Sequence, residues 1–134
     1  MLASGGDDRT VHLWDLAPGR RPRVLPGHAG AVHAVGAVGG MLASAGDDLT
    51  VRLWNPATGL QEGTLDGHTG PVHALAALDG RLVSAGNDGT LRLWDTRTAR
   101  ATTIPIHFPV SSCVPIDGGL AVGVTAGLLV LAID

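Results

Sequence analysis

A period of 40 residues runs through this chain and constrains its fold more than any local feature. Trp14, Trp54 and Trp94 are each 40 apart, as are Ser4, Ser44 and Ser84, and Asp8, Asp48 and Asp88. Gly27-His28 and Gly67-His68 keep the same interval, as do V-H-A-V from Val32 and V-H-A-L from Val72. The opening M-L-A-S-G-G-D-D-R-T-V-H-L-W-D, residues 1–15, matches the stretch from Met41 at eleven of fifteen positions. A weaker fourth copy begins at Gly119. With Gly127 set under Gly89, Leu129 and Leu131 fall beneath Leu91 and Leu93, while Val122, Ala126 and Ala132 stand in for the Ser, Asp and Trp. A fixed period of this length means one structural unit used repeatedly, each copy burying apolar surface against the next.

Each period divides into four short β runs separated by turn residues. In the best copy the runs are 60–65, 72–78, 81–85 and 90–94. Asp79-Gly80 and Asn87-Asp88-Gly89 are hairpin signals, because Gly and Asn tolerate positive φ. Val, Leu, Trp and Ala occupy both faces of the runs, which suits sheets covered on both sides. No stretch carries a 3.6-residue period, so an all-β fold is expected. The uncharged run 118–133 suggests a membrane span, but it is shorter than the ~20 residues a helix needs and holds four glycines. It fits the repeat as two strands.

Gly-His, L-A-S-x-G-x-D-x-T-V-x-L-W-D and the 40-residue spacing together resemble the WD-repeat β-propeller family over essentially the whole chain. The resemblance implies four-stranded antiparallel blades packed radially, with strands a to d running outwards from a central channel. Gly-His would lie between strand d of one blade and strand a of the next, and Trp-Asp would close strand c. On this frame the chain is an open arc of about four blades, two complete and two three-stranded. Blade 1 would be partial over 1–26, blade 2 span 27–66, blade 3 span 67–105, and blade 4 be partial over 106–134. In blade 1, strands b, c and d would fall at 1–6, 9–14 and about 21–25; strand a of blade 4 would fall at about 110–116. Met1 sits where Met41 sits, so it reads as an internal residue of a longer propeller of roughly seven blades. This chain would be its C-terminal half.

The same resemblance assigns His28, Ser44, Asp48 and Trp54 to one hydrogen-bonded tetrad and His68, Ser84, Asp88 and Trp94 to a second. Ser4, Asp8 and Trp14 would be a partial one. The indole N–H donates to the Ser hydroxyl, the hydroxyl reaches the His, and the other imidazole nitrogen reaches the Asp. A Ser–His–Asp set also suggests hydrolysis. However, a nucleophilic Ser needs an exposed Oγ and an oxyanion hole, and this constellation occurs twice with the hydroxyl engaged by Trp. No metal site is expected from the six His: the five-residue spacing of His28/His33 and His68/His73 follows from the repeat, and no C-x₂-C or H-x₃-H pattern is present. Cys113, the only cysteine, lies in an apolar run and reads as a core residue rather than a nucleophile. No cofactor is implied. Trp94-Asp95-Thr96-Arg97 matches a short W-D-x-R docking box of some eukaryotic family members; an exposed turn Arg is the preferred reading.

The charge is mildly acidic, with 9 Arg, no Lys and 12 Asp+Glu for a net −3. That excludes a basic stripe for nucleic acid or anionic membrane. The lone Cys suits a reducing compartment, and no basic-then-apolar leader is visible, so the cytoplasm is expected. Function then rests on surface loops. The rim bearing the Gly-His and Asp turns is the candidate protein-binding face, with Asp7, Arg9, Ala29, Ala31, Asp47, Leu49, Thr69, Pro71 and Asn87. The chain reads as a non-enzymatic protein-interaction module. A second reading makes it the regulatory or sensing propeller of a bacterial kinase or NTPase whose catalytic part lies upstream, since no G-x-x-x-x-G-K-[ST], H-R-D or H-E-x-x-H occurs here. Exposed end blades would favour self-association.

Overall fold

The computed structural model describes residues 1–125 and 127–132. Its described residues form fourteen strands in four antiparallel sheets. The first sheet holds β1 (Leu2–Gly5), β2 (Val11–Trp14) and β3 (Arg23–Leu25) in sequence order. The second holds β4 (Val32–Val38), β5 (Met41–Gly46), β6 (Val51–Trp54) and β7 (Gln61–Leu65), and the third holds β8 (Val72–Leu78), β9 (Arg81–Gly86), β10 (Thr90–Asp95) and β11 (Arg100–Pro105). The fourth holds β12 (Val110–Ile116), β13 (Gly119–Val124) and β14 (Gly127–Ala132). No helix long and apolar enough to cross a membrane occurs among the described residues.

The second and third sheets share one register. Ser44 pairs with Arg52 as Ser84 pairs with Arg92, and Leu42 with Trp54 as Leu82 with Trp94. Both inner hairpins slip by one residue at the His that follows the first valine, His33 and His73. Such a bulge re-aims the side chains beside it. The first sheet starts and resumes later than the sequence pattern suggests, with β1 at Leu2–Gly5 and β2 at Val11–Trp14 rather than 1–6 and 9–14. Asp8 is the reason. Its Oδ1 accepts the Thr10 N–H and hydroxyl at 3.1 and 2.8 Å, and Arg9 sits at φ 69°, so residues 6–10 close as a turn.

Three apolar clusters hold the sheets face to face. Val11, Leu13 and Leu25 of the first sheet meet Val32, Leu42 and Trp54 of the second. Ala43, Ala45, Val51, Leu53 and Leu65 on the other face of the second meet Val72, Leu82 and Trp94 of the third. Val83, Ala85, Leu91 and Leu93 of the third meet Val110, Leu120, Val122 and Val124 of the fourth. Each fully buried aliphatic side chain contributes about 1.5–3 kcal/mol by transfer from water. The two interfaces of the second sheet with its neighbours therefore each join a Trp-bearing face to an aliphatic one. Trp54 and Trp94 are each 2% exposed, whereas Trp14, with no sheet beyond it, is 39% exposed.

Gly46 and Gly86 end β5 and β9 where another backbone crosses close by. A Cβ on Gly46 would run into the Ala31 carbonyl oxygen, and one on Gly86 into that of Pro71. The same carbonyls accept the Asp47 and Asn87 N–H groups at 2.9 Å, so neither can yield. Replacement of Gly46 by Ala is expected to destabilise the chain by at least ~2 kcal/mol through overpacking. Gly39→Ala, which meets nothing within 4 Å but carries φ 55°, should cost only ~1 kcal/mol through backbone strain. Urea midpoints of the two variants check the order, and equal loss in both would contradict the crossing geometry.

Candidate functional site

The polar groups that the repeat brings together sit at one end of the sheets, where the loop into each inner strand crosses the next β-turn. Gly27 and Gly67 open this loop at φ 151° and 152°, a conformation L side chains rarely adopt, and the Arg52 and Arg92 guanidinium groups press against them. The following His enters the core. His28 Nε2 lies 2.7 Å from Ser44 Oγ and its Nδ1 2.8 Å from Asp48 Oδ2, while the Trp54 indole donates to Ser44 Oγ at 2.8 Å. His68 repeats this with Ser84 and Asp88 at 2.7 Å each, and Trp94 donates to Ser84 at 2.8 Å. In the first sheet Trp14 donates to Ser4 at 2.9 Å and Asp8 holds its turn, with no His between them. In the fourth, Val122 is buried at the Ser position, and Ala126 lies outside the described residues.

Charge follows from these contacts. Burial pushes the His28 and His68 imidazoles below the usual histidine range, outweighing the upward pull of their Asp partners. The His is therefore neutral, donating Nδ1–H to Asp and accepting the Ser hydroxyl at Nε2. Burial pushes Asp48 up. Donors from the Ala29 N–H, His28 and Thr50 outweigh that push and hold it below the usual carboxylate range. Asp88 behaves alike, with burial outweighed by Thr90, His68 and the Thr69 N–H. Ser44 and Ser84 are 0% exposed. Neither hydroxyl is open to a substrate, so the Ser–His–Asp geometry is spent on holding the fold. Burial likewise pushes the half-buried Cys113 thiol up to about 11, which makes it a poor nucleophile.

The rim residues divide in two. Ala29 and Thr69 donate their N–H groups to the tetrad Asp at 3.0 and 3.1 Å, and Ala31 and Pro71 supply the crossing carbonyls. Leu49 sits at φ 70° in the turn that Gly89 makes in the next repeat, and Arg9 takes its place in the first sheet. Asp7, Asp47 and Asn87 project from these turns and are exposed. Two rim residues were not anticipated. His33 contacts Asp47, with Nε2 2.7 Å from Oδ1, and its ring lies 4.9 Å from that of His73. The visible signal was V-H at the same place in consecutive repeats. Arg97 is an exposed turn residue whose N–H donates to Asp95 at 2.9 Å, as expected.

The profile of the family described as "WD domain, G-beta repeat" matches residues 1–15, 19–55 and 59–95. The chain belongs to the WD-repeat family. Among solved structures, the WD40 β-propeller domain of Doa1 resembles it with a TM-score of 0.85 and 24% identity. That similarity covers 96% of this chain and 45% of the Doa1 chain, so this chain spans less than half the length of that propeller. No curated protein matches. WD-repeat propellers generally mediate protein–protein interaction, and the fold is typically non-catalytic. The four sheets here form a partial, unclosed propeller.

Two outcomes follow from the tetrads. Ser84→Ala leaves the His68 Nε2 and the Trp94 N–H buried without partners and should lower stability by about 1–3 kcal/mol, read from a urea melt. His68→Ala should do the same. Stability should also fall on acidification. The unfolded chain binds protons on His near pH 6.5 that the folded chain resists, so the loss begins there. The Asp contribution, present above the unfolded carboxylate pKa near 3.8, is lost further down. Melts from pH 8 to 4 check the sign; unchanged stability across pH 7 to 5 would contradict neutral buried histidines.

Proposed function

We propose that the chain is a non-enzymatic protein-binding module that works, in the cytoplasm, as the C-terminal part of a larger WD-repeat propeller. The partner would dock on the rim formed by Asp7, Arg9, Asp47 and Asn87 with the crossing loops 29–31 and 69–71. One observation carries this reading. The rim's backbone is pinned by buried tetrads, while Asp7, Asp47, Asn87 and His33 leave polar side chains exposed on it. Preorganised turns of this kind spare a partner the entropy of ordering loops.

The larger assembly is supported by the outer faces of the end sheets. Leu2, Trp14 and Val24 are exposed on the first sheet, and Val114 and Ile116 on the fourth. Apolar faces of this kind are covered by a neighbour in every internal interface of the chain. Alone, the chain is expected to self-associate through them. Sedimentation velocity should show concentration-dependent oligomers that Trp14→Ser with Val114→Ser reduces; a monomer at all concentrations would count against this. For the rim, affinity capture from the host should recover a protein lost with Asp47→Ala plus Asn87→Ala and retained with Arg97→Ala on the opposite edge. Equal recovery with all three chains sinks the rim assignment.

A further inference from the structure

The inner strands β4 and β8 run side by side, and each places a His second in the strand, beside the slip in its pairing. We propose that His33 and His73 form a two-imidazole chelate for a divalent transition-metal ion of the copper–zinc end of the series. Within one repeat no His pair has ligand spacing, but the 40-residue period delivers two imidazoles to one spot from consecutive repeats.

The ring separation matches that of a chelate. Metal–nitrogen bonds of about 2.0–2.1 Å put each ring centre about 3.2 Å from the ion, so at angles of about 90–110° two centres lie about 4.5–5.2 Å apart. The observed separation is 4.9 Å, and the planes are tilted by 41° rather than stacked in parallel. His33 is also set in the tautomer a ligand needs. Asp47 can only accept, so His33 donates Nε2–H across 2.7 Å and keeps the Nδ1 lone pair free. A carboxylate behind a ligating imidazole fixes its orientation. No hydrogen bond within the described residues engages the His73 ring, which leaves its lone pair available. Beside the pair lies a cavity of about 290 Å³ lined by His33, His73, Asn87, Pro109, Ser111 and Thr125. Its side-chain oxygens suit ordered water in the remaining positions. Among the described residues no third His, Cys, Asp or Glu joins the pair, so it holds the ion by two protein ligands and keeps open positions. Imidazole pairs of this kind follow the general order in which copper binds more tightly than nickel, cobalt or zinc.

The test uses the whole chain and Cu(II) or Zn(II) alone, followed by calorimetry, with paramagnetic resonance for copper. One ion per chain is expected, with copper tighter than zinc and two nitrogen ligands in the copper spectrum. His33→Gln and His73→Gln, which keep side-chain volume and polarity, should each weaken binding at least ~10-fold. Asp47→Asn should weaken it less than either, by loosening the hold on the His33 ring. His107→Gln should leave it unchanged. Near-ultraviolet circular dichroism of the buried tryptophans verifies that each variant is folded. Affinity unaffected by both His33→Gln and His73→Gln, or no saturation of the wild type below about 1 mM, overturns the proposal and leaves the pair a contact between two rings.

Discussion

Ser44 and Ser84 are fully buried hydroxyls, and each must both donate and accept a hydrogen bond inside an apolar layer. The Trp indole supplies the donor and the neutral imidazole the acceptor, and the imidazole is neutral only because it is buried. The Asp stays ionised because backbone and side-chain donors converge on it. The Ser hydroxyl and the imidazole each need both of their neighbours in the chain from Trp to Asp. The geometry of the rim depends on this closure. The Asp that completes it also takes the N–H after the His, and so sets where the loop into the next inner strand crosses. A partly satisfied network would leave polar groups buried at a cost of about 1–3 kcal/mol each.

The repeat made most of this legible before any coordinates. The period located β7, β8, β9 and β10 to within a residue, because turn chemistry and alternation agreed there. It also matched β12, whose bounds Val110–Ile116 are those read from the sequence. The pattern was least informative where a local side chain overrode it. Asp8 holds residues 6–10 in a turn between β1 and β2, a side-chain hydrogen-bond effect that periodicity does not weigh. The rim's backbone roles were likewise hidden, since Ala29, Ala31, Thr69 and Pro71 act through N–H and C=O groups that a sequence does not distinguish.

The His33–His73 juxtaposition shows a different limit. Ligand motifs are sought at short spacings along a chain, whereas a stacked repeat brings together residues one full period apart. The pairing slip in each inner hairpin then decides where those side chains point. Arg52 and Arg92 carry a related constraint. Their Nε atoms are buried without a hydrogen-bond partner, and the Arg92 guanidinium lies 6.0 Å over the Trp94 ring, which compensates part of that desolvation.

The alternation of faces gives the stack a direction, because the second and third sheets each offer a Trp face to the sheet before and an aliphatic face to the one after. Duplication or loss of a whole unit like the second or third would therefore preserve the junction between them. An insertion of one residue within a strand instead turns the side chains beyond it over and sets like faces together.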